Sequence, residues 1–167
     1  AAPTLVPSVE NITYLETEHL IGYINQTGNV TITIRNLENP SEVVKINPEI
    51  IIQNRNVTWN IGDLNAGTYI AQFTYNGNNN YLPGEVNKTF KVKQANATVI
   101  VEVENIKVGQ NATVDVTVNP TGNVTGNVTI FVDGENIGDY ILTDGFVQLT
   151  NVSGLINGTH DVVAVYN

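Results

Sequence analysis

The residues of this chain with the clearest chemical potential are asparagines in Asn-X-Ser/Thr sequons, the acceptor sequence for N-glycosylation. Eleven asparagines begin such a sequon, whereas the Ser and Thr content predicts roughly three by chance. Strand alternation explains part of this excess, because Asn-Val-Thr in a β-strand points Asn and Thr outward and Val inward. The remainder predicts a heavily N-glycosylated protein. The candidate sites are Asn11, Asn25, Asn29, Asn56, Asn87, Asn96, Asn111, Asn123, Asn127, Asn151 and Asn157.

Nucleophilic catalysis needs a base beside a hydroxyl or a thiol, and the chain offers few groups of this kind. It contains no cysteine and only two histidines, His19 and His160, neither of which lies in a catalytic motif. Two isolated histidines give no zinc-binding spacing. The acidic residues are dispersed, so no carboxylate pair for glycoside hydrolysis stands out. We therefore predict a non-enzymatic protein with no cofactor and no metal.

One acidic cluster in the second half of the chain allows two interpretations. Its oxygens could bind calcium between loops, but Asp133-Gly134 is also typical of a hairpin turn, and we favour the turn. A lysine–asparagine isopeptide bond is a further option for Lys88, Lys91 and Lys93, which we expect instead to be exposed. The members of the acidic cluster are Asp133, Glu135, Asp139 and Asp144.

The charge of the chain restricts its partners. The formal net charge is −9 at pH 7, and binding to nucleic acid requires a basic surface. Attraction to an anionic membrane is disfavoured for the same reason. No apolar run approaches the roughly twenty residues of a membrane-spanning helix. We expect no nucleic-acid partner and no direct membrane insertion.

The chain is a tandem repeat, because three short segments of its first half return in the same order in its second half. Two copies in 167 residues imply two domains, each large enough to bury its own core. We place the domains at residues 1–93 and 94–167. The recurring segments are 9–12 with 103–106, 27–32 with 125–130, and 64–68 with 155–159.

Apolar and polar residues alternate with a period of two through most of both copies. The alternating runs are rich in Val, Ile, Thr and Tyr and are separated by Gly, Asn and Pro turns, which predicts short β-strands. Regular strands at this spacing favour an all-β pair of sandwiches. The runs lie near residues 4–10, 19–25, 29–36, 42–46, 49–53, 56–61, 67–75 and 85–93, and near residues 97–104, 112–118, 126–133, 136–142, 146–152 and 158–166.

Aromatic residues indicate where the core of the first domain lies. Tyr69, Phe73 and Tyr75 share one face of an alternating run, and we expect this face to be buried. Trp59 is expected in the same core.

The junction near residues 93–96 is too short to act as a flexible spacer, so we expect the two domains to form a stiff pair.

Residues 67–83, which run from Gly-Thr-Tyr-Ile into the loop Asn-Gly-Asn-Asn-Asn-Tyr-Leu-Pro, resemble part of a known family. They are similar to the penultimate strand and following loop of bacterial and archaeal immunoglobulin-like repeats, which abound in adhesin-like surface proteins of methanogenic archaea. Residues 103–114 and 125–130 resemble the opening stretch and the third strand of such repeats. The resemblance implies tandem seven-stranded Ig-like Greek-key sandwiches outside a prokaryotic cell. An insertion near residues 37–54 and a missing closing strand depart from the pattern.

The second copy ends one strand earlier than the first. Asn167 matches Asn76, after which the first copy continues through a loop into a last alternating run that ends near Val92. A β-sandwich that lacks its final strand leaves a sheet edge and an apolar groove open. The residues that we expect to form this acceptor edge are Val162, Val163, Ala164, Val165 and Tyr166.

Two interpretations of the missing strand are open. The sequence is part of a longer repeat protein that continues into the strand, or another copy supplies the strand by β-augmentation. Residues 4–10 align with residues 98–104, so the candidate donor is also the expected opening strand of the first domain. Donation would then be a strand swap. The donor candidates are Thr4, Leu5, Val6, Pro7, Ser8 and Val9.

The N-terminal sequence Ala1-Ala2-Pro3-Thr4 lacks the features of a signal peptide and is typical of an end exposed by signal peptidase. Together with the sequons it predicts a secreted protein of the cell surface. We expect an extracellular structural subunit of a filament or fibre that assembles head to tail by donor-strand complementation. The alternative is a stalk fragment of a larger adhesin-like protein that attaches to other cells or to glycans.

Overall fold

The computed structural model describes residues 3–120 and 124–167, and within these ranges the chain forms β-strands and turns but no helix. The predicted all-β fold is confirmed. The chain divides into two compact units, Ala1–Ala95 and Asn96–Asn167. The first unit contains β1 (Val6–Ser8), β2 (Ile12–Thr13), β3 (Glu18–Tyr23), β4 (Asn29–Asn36), β5 (Val43–Ile51), β6 (Asn56–Ile61), β7 (Gly67–Tyr75) and β8 (Gly84–Lys93). The second contains β9 (Thr98–Val103), β10 (Ala112–Asn119), β11 (Asn127–Val132), β12 (Glu135–Ile141), β13 (Phe146–Val152) and β14 (Val162–Tyr166).

The first unit is a sandwich of two sheets, with strand orders β1-β3-β6 and β2-β8-β7-β4-β5. Its N-terminal segment contributes to both sheets, because β1 pairs antiparallel with β3 and β2 pairs parallel with β8. The final strand β8 therefore lies between β2 and β7. This order of strands is that of an immunoglobulin-like sandwich.

The core of the first unit follows the period of two along its strands. Tyr69, Phe73 and Tyr75 on β7 are buried as predicted, and Phe90 from β8 stacks on Tyr69 with ring centroids 5.6 Å apart. Trp59 is half-buried and packs against the edge of this core. The aromatic face of β7 is thus covered by β8 and by the opposite sheet.

Two strand boundaries differ from the alternating runs. The runs near residues 42–46 and 49–53 form one strand, β5, which continues past Pro48 with an irregular register against β4. A proline is tolerated here because β5 is an edge strand, on which the missing N–H costs no ladder hydrogen bond. In the second unit, the run near 158–166 becomes a strand only from Val162.

The second unit repeats this plan with two sheets of three strands, β13-β10-β9 and β12-β11-β14. Valines from β10 pack against β11 across a small aliphatic core. The buried members of this core are Val114, Val116, Val118, Val128, Ile130, Leu142 and Leu149. Both units are therefore Ig-like β-sandwiches, and the second contains fewer strands in the part of the chain that the structure describes.

Matching hydrogen bonds show which residues of the two units are equivalent. The Tyr75 hydroxyl donates to the Thr27 carbonyl oxygen at 2.9 Å, and the Tyr166 hydroxyl donates to the Thr125 carbonyl oxygen at 2.7 Å. The pairing of β1 with β3 also recurs in β9 and β10. The sequence repeat is thus a repeat of contacts, and β14 is the equivalent of β7.

A buried carboxyl group lies at the start of β3. Glu18 is 1% exposed, and one of its oxygens accepts the Glu10 backbone N–H at 2.8 Å. Its other oxygen, Oε2, has no hydrogen-bond partner among the described residues. Burial raises the pKa of this carboxyl above 4.5, and the nearby charge of Glu10 acts in the same direction. Glu18 therefore binds its proton more tightly in the folded unit than in the unfolded chain.

We predict that Glu18 makes the first unit less stable as the pH rises. A carboxyl whose pKa is raised by folding favours the native state below its unfolded value of 4.5, and this advantage is lost as the pH passes the folded value. Glu18→Gln should match the wild type near pH 4 and exceed its free energy of unfolding by about 1 kcal/mol near pH 8. Fluorescence of Trp59, the only tryptophan, follows this transition.

The matched control for this measurement is Glu38→Gln, which removes an exposed carboxylate from the same unit. It should leave the difference between pH 4 and pH 8 unchanged. Equal pH dependence in the wild type and in Glu18→Gln would contradict the role given to the buried acid.

Candidate functional site

The open edge of the second unit is formed by β14. This strand pairs with β11, from Val128↔Tyr166 to Val132↔Val162, and with no second strand among the described residues, although Cα atoms of β9 come within 8 Å of it. Its equivalent in the first unit, β7, lies between β4 and β8. An unpaired strand edge offers a row of backbone donors and acceptors to another strand.

The five residues predicted to form the acceptor edge all lie on β14, where they divide by the direction of their side chains. Val162, Ala164 and Tyr166 are half-buried and pack against the core of the second unit. Val163 and Val165 point away from the core and are 52% and 45% exposed. The structure places them together on one edge.

A groove lined by both apolar and polar side chains adjoins this edge. It has a volume of about 710 Å³ and lies between the segment 104–108, which follows β9, and the loop 155–160, which precedes β14. Its floor is formed by core valines of β9 and β10. The side chains that line it include Val101, Val103, Ile106, Val108, Val114, Leu155, Ile156, His160 and Val162.

The first unit shows what covers the corresponding position there. Phe90 and Val92 of β8 are only 2% and 3% exposed, and Ile12 packs against the same core. In the second unit the equivalent of Ile12 is Ile106, which lines the groove and is 37% exposed. The groove thus corresponds to the space that the inward side chains of β8 fill. Burying each such side chain contributes about 1.5–3 kcal/mol.

His160 stands at one wall of this groove, in the place that Tyr69 takes in the first unit. The Tyr69 hydroxyl donates to the Asn65 carbonyl oxygen at 2.8 Å, a contact of the tyrosine-corner type. His160 Nε2 reaches the Ile156 carbonyl oxygen at the same distance. Either contact ties the start of the strand to the loop that precedes it.

The imidazole of His160 makes a second contact that the tyrosine lacks. Its Nδ1 lies 2.6 Å from Asp133 Oδ2. Because a carbonyl and a carboxylate only accept hydrogen bonds, both ring nitrogens must donate, which requires the charged imidazolium. The bond to Asp133 raises the pKa of His160, and the bonds from His160 and from the Asp161 backbone N–H lower the pKa of Asp133.

The other groups considered for chemistry are dispersed. His19 is exposed and contacts the Asn60 side chain at 2.7 Å. Asp133 and Gly134 both have positive φ angles in a tight turn, the geometry expected of a hairpin. The described residues contain no group of three or more His, Cys, Asp or Glu side chains placed to hold a metal ion. The lysines of β8 are exposed.

The donor candidates lie in the first unit. Val6–Ser8 form β1 and pair with β3, Leu5 is 8% exposed, and Val9 packs against the core. The segment therefore serves as the opening strand of its own unit, as its alignment with residues 98–104 suggested.

The sequons differ in accessibility. The seven exposed sequon asparagines are Asn11, Asn25, Asn87, Asn96, Asn111, Asn151 and Asn157. Asn29, Asn56 and Asn127 are half-buried. Asn123 lies outside the described residues. The seven exposed asparagines are accessible to a modifying enzyme.

Two of the half-buried sequons have a structural role that sequence analysis missed. Asn76 Nδ2 lies 2.6 Å from Asn29 Oδ1 and 3.0 Å from Thr31 Oγ1. Asn167 Nδ2 contacts Asn127 Oδ1 and Thr129 Oγ1 at 2.8 Å and 2.9 Å. In each unit, one carboxamide thus binds the Asn and the Thr of an Asn-Val-Thr sequence. The dipeptide Tyr-Asn recurs where β7 and β14 end, and this recurrence was the signal that could have revealed the bridges.

Comparisons with known proteins give distant structural similarities alone. No protein-family model and no curated protein matches the chain. Solved structures with similar architecture include the fibronectin(III)-like modules of CbhA from Clostridium thermocellum, at 14% identity and a TM-score of 0.38, covering 98% of this chain and 86% of that one. The titin domains z1z2 in complex with telethonin are 16% identical with a TM-score of 0.45, and the match covers 100% of this chain and 90% of that one. The IG1+IG2 domains of DIP-gamma are 13% identical with a TM-score of 0.40, and the match covers 100% of this chain and 91% of that one.

These observations define the class of protein. The order of the strands makes the chain a tandem of Ig-like β-sandwiches. Within the described ranges, no helix is long and apolar enough to cross a membrane. The open edge and the groove are the features that distinguish the second unit from the first.

We predict that the pair His160–Asp133 stabilises the second unit within a defined pH range. The raised pKa of His160 adds stability that is full below 6.5 and is lost as the pH rises through the folded value. The lowered pKa of Asp133 adds stability that is full above 3.8 and is lost as the pH falls. The contribution is therefore greatest between pH 3.8 and 6.5.

His160→Tyr tests this prediction because it restores the residue of the first unit and removes the ion pair. Urea unfolding followed through NMR signals of β14 should show a stability loss above pH 6.5 in the wild type and a flatter profile in the variant. His19→Gln, in the first unit, is the control. Identical profiles for the wild type and His160→Tyr would show that the pair has no such effect.

Proposed function

We propose that the chain is a non-enzymatic structural subunit of an extracellular filament or fibre, and that another copy completes its second unit by donor-strand complementation. The observation that supports this is the coincidence of an unpaired strand edge with the groove beside it. Both lie where β8 completes the first unit. A strand that enters this position would pair with β14 and bury its inward side chains.

The gain from such a strand is indicated by the first unit itself. There β8 pairs with β7 from Gly67↔Val92 to Tyr75↔Gly84, and Phe90 and Val92 close the core. An exposed strand edge beside exposed apolar side chains otherwise favours unspecific association. A defined donor replaces this hazard with one specific contact between copies.

The donor in this proposal is the segment Thr4–Val9 of the neighbouring copy. Leu5, Pro7 and Val9 share one face of this segment, and in the first unit this face is turned toward the core. β1 pairs with β3 over three residue pairs. Exchange of this strand between copies gives a heterologous, head-to-tail contact, which propagates into a fibre when it does not close.

An extracellular location agrees with the surface of the protein. Most sequon asparagines are exposed and are offered to a glycosylating enzyme. In this proposal the chain is a secreted N-glycoprotein of the cell surface, released from its signal peptide.

A second candidate function is a stalk segment of a larger adhesin-like protein that attaches to cells or glycans. The observation in its favour is that the first unit completes itself within one chain, since β8 follows β7 after a short loop. In a stalk, the strand that fills the groove would follow β14 in the same polypeptide.

The test compares the chain with a self-complemented variant, in which a second copy of residues 77–93 is appended after Asn167. The wild-type chain should form polymers as its concentration rises, visible by light scattering and electron microscopy. The variant should remain monomeric, because its own strand fills the groove. A wild-type chain that stays monomeric at all concentrations would contradict the filament and favour the stalk.

A point variant of the groove gives a second, independent prediction. Val108 lines the groove and is 69% exposed, so Val108→Asp should leave the unit folded while placing a charge where an apolar strand binds. We expect at least a tenfold rise in the concentration at which polymers appear. Ile141→Asp, at a 79% exposed site of β12, is the matched control and should polymerise like the wild type.

A further inference from the structure

We infer that the groove of the second unit holds its strand from two sides, and that the Asn105 carboxamide sets the register of that strand. The incoming strand would pair antiparallel with β14 and parallel with residues 105–107. This inference rests on the proposed function, because the occupant is the strand donated by a second copy. It adds a second wall, and a positioning residue, to an acceptor site otherwise defined by one edge.

The first unit shows this double attachment in full. β8 pairs with β7 on one side, and on the other β2 pairs with it through Ile12↔Val92 and Thr13↔Lys93. Just before β2, Asn11 Oδ1 accepts the backbone N–H of Lys91 at 2.8 Å. The backbone N–H of Tyr14, just after β2, donates to the Lys93 carbonyl oxygen at 2.7 Å. A side-chain carboxamide thus continues the ladder of the short strand β2.

The register of the opening strands identifies the equivalent residues of the second unit. Val6 lies opposite Tyr23 in the first unit, as Ile100 lies opposite Thr117 in the second. Continuing along the chain from this match, Asn105 takes the place of Asn11. The residues that follow, Ile106, Lys107 and Val108, take the places of Ile12, Thr13 and Tyr14.

The segment is already shaped for this role. In the first unit, a turn after β2 is closed by the Thr13 backbone N–H, which donates to the Glu16 carboxylate at 2.6 Å. In the second unit, the Lys107 backbone N–H donates to Gln110 Oε1 at 2.9 Å. The returning backbone bonds, Glu16 N–H to Thr13 O and Gln110 N–H to Lys107 O, also match. The turn that follows residues 105–107 therefore matches the turn that follows β2.

Asn105 lines the groove together with Ile106 and Val108. In the occupied site, its carboxamide would accept a backbone N–H from the residue that takes the place of Lys91. A proline at that position has no N–H and would leave the carboxamide unpartnered. The site therefore discriminates between registers of a strand that contains proline.

The donor segment contains such a proline. With Leu5, Pro7 and Val9 turned into the groove, the N–H offered to Asn105 belongs to Val6 or to Ser8. A shift by one residue would place Pro7 opposite Asn105 and would turn the apolar face outward. The outward turn of the apolar face opposes the shifted register. In the favoured register Pro7 faces β14, where its missing N–H costs one ladder hydrogen bond.

The experiment uses the full chain with a synthetic peptide of the β8 sequence, residues 84–93, as the strand. Hydrogen exchange of the complex should show protection both in β14 and at residues 106–108. Asn105→Ala should weaken binding of the peptide about three- to tenfold, which is the range for one hydrogen bond. Asn151→Ala, at an exposed site of β13, is the control and should bind like the wild type.

Two peptide variants separate the backbone bond from the side chain. A Lys91→Pro peptide should bind the wild type more weakly than a Lys91→Ala peptide, and this difference should vanish on the Asn105→Ala chain. Protection confined to β14, together with an unchanged affinity of Asn105→Ala, would overturn the two-sided site while leaving strand donation intact. A peptide that fails to bind while the chain still polymerises would also overturn it. If neither binding nor polymerisation occurs, strand donation fails as well.

Discussion

A strand at the edge of a sheet leaves its backbone N–H and C=O groups without partners, and the side chains beneath it without cover. In the first unit, β8 meets both needs, because it pairs along the length of β7 and places Phe90 and Val92 in the core. The second unit presents the same edge and the same apolar floor beside a groove. The core of the first unit therefore depends on this one strand.

The two units share a framework of contacts although few of their core side chains are identical. A tyrosine hydroxyl binds the loop before β4 or β11, and the asparagine after it binds the Asn and Thr of that strand. What varies is the side chain at the start of β7 and β14, where Tyr69 is replaced by His160. A neutral contact with a backbone carbonyl thus becomes part of a charged network with Asp133.

The sequence predicted the strands correctly where the local alternation of apolar and polar residues determines them. Alternation predicted β4, β7 and β11, and the repeated Asn-Val-Thr segments predicted that the copies match. Local signals failed where the outcome depends on distant neighbours. β2 has two residues and exists because β8 lies beside it, and His160 meets Asp133 only after β11 and β14 have paired. The groove could be anticipated from the shorter second copy, whereas the wall at Asn105 required the paired arrangement of the first.

The asparagine bridges within Asn-Val-Thr have a consequence for the timing of modification. A transferase that meets the folded chain finds Asn29 and Asn127 half-buried, with their carboxamide oxygens occupied by Asn76 and Asn167. The same two sites are extended and accessible while the polypeptide is still emerging and unfolded. A glycan at Asn29 or Asn127 would therefore show that the transferase acted before folding. A glycan at an exposed site such as Asn25 would be compatible with transfer before or after folding. The set of glycosylated sites on one chain would therefore show whether glycosylation preceded folding.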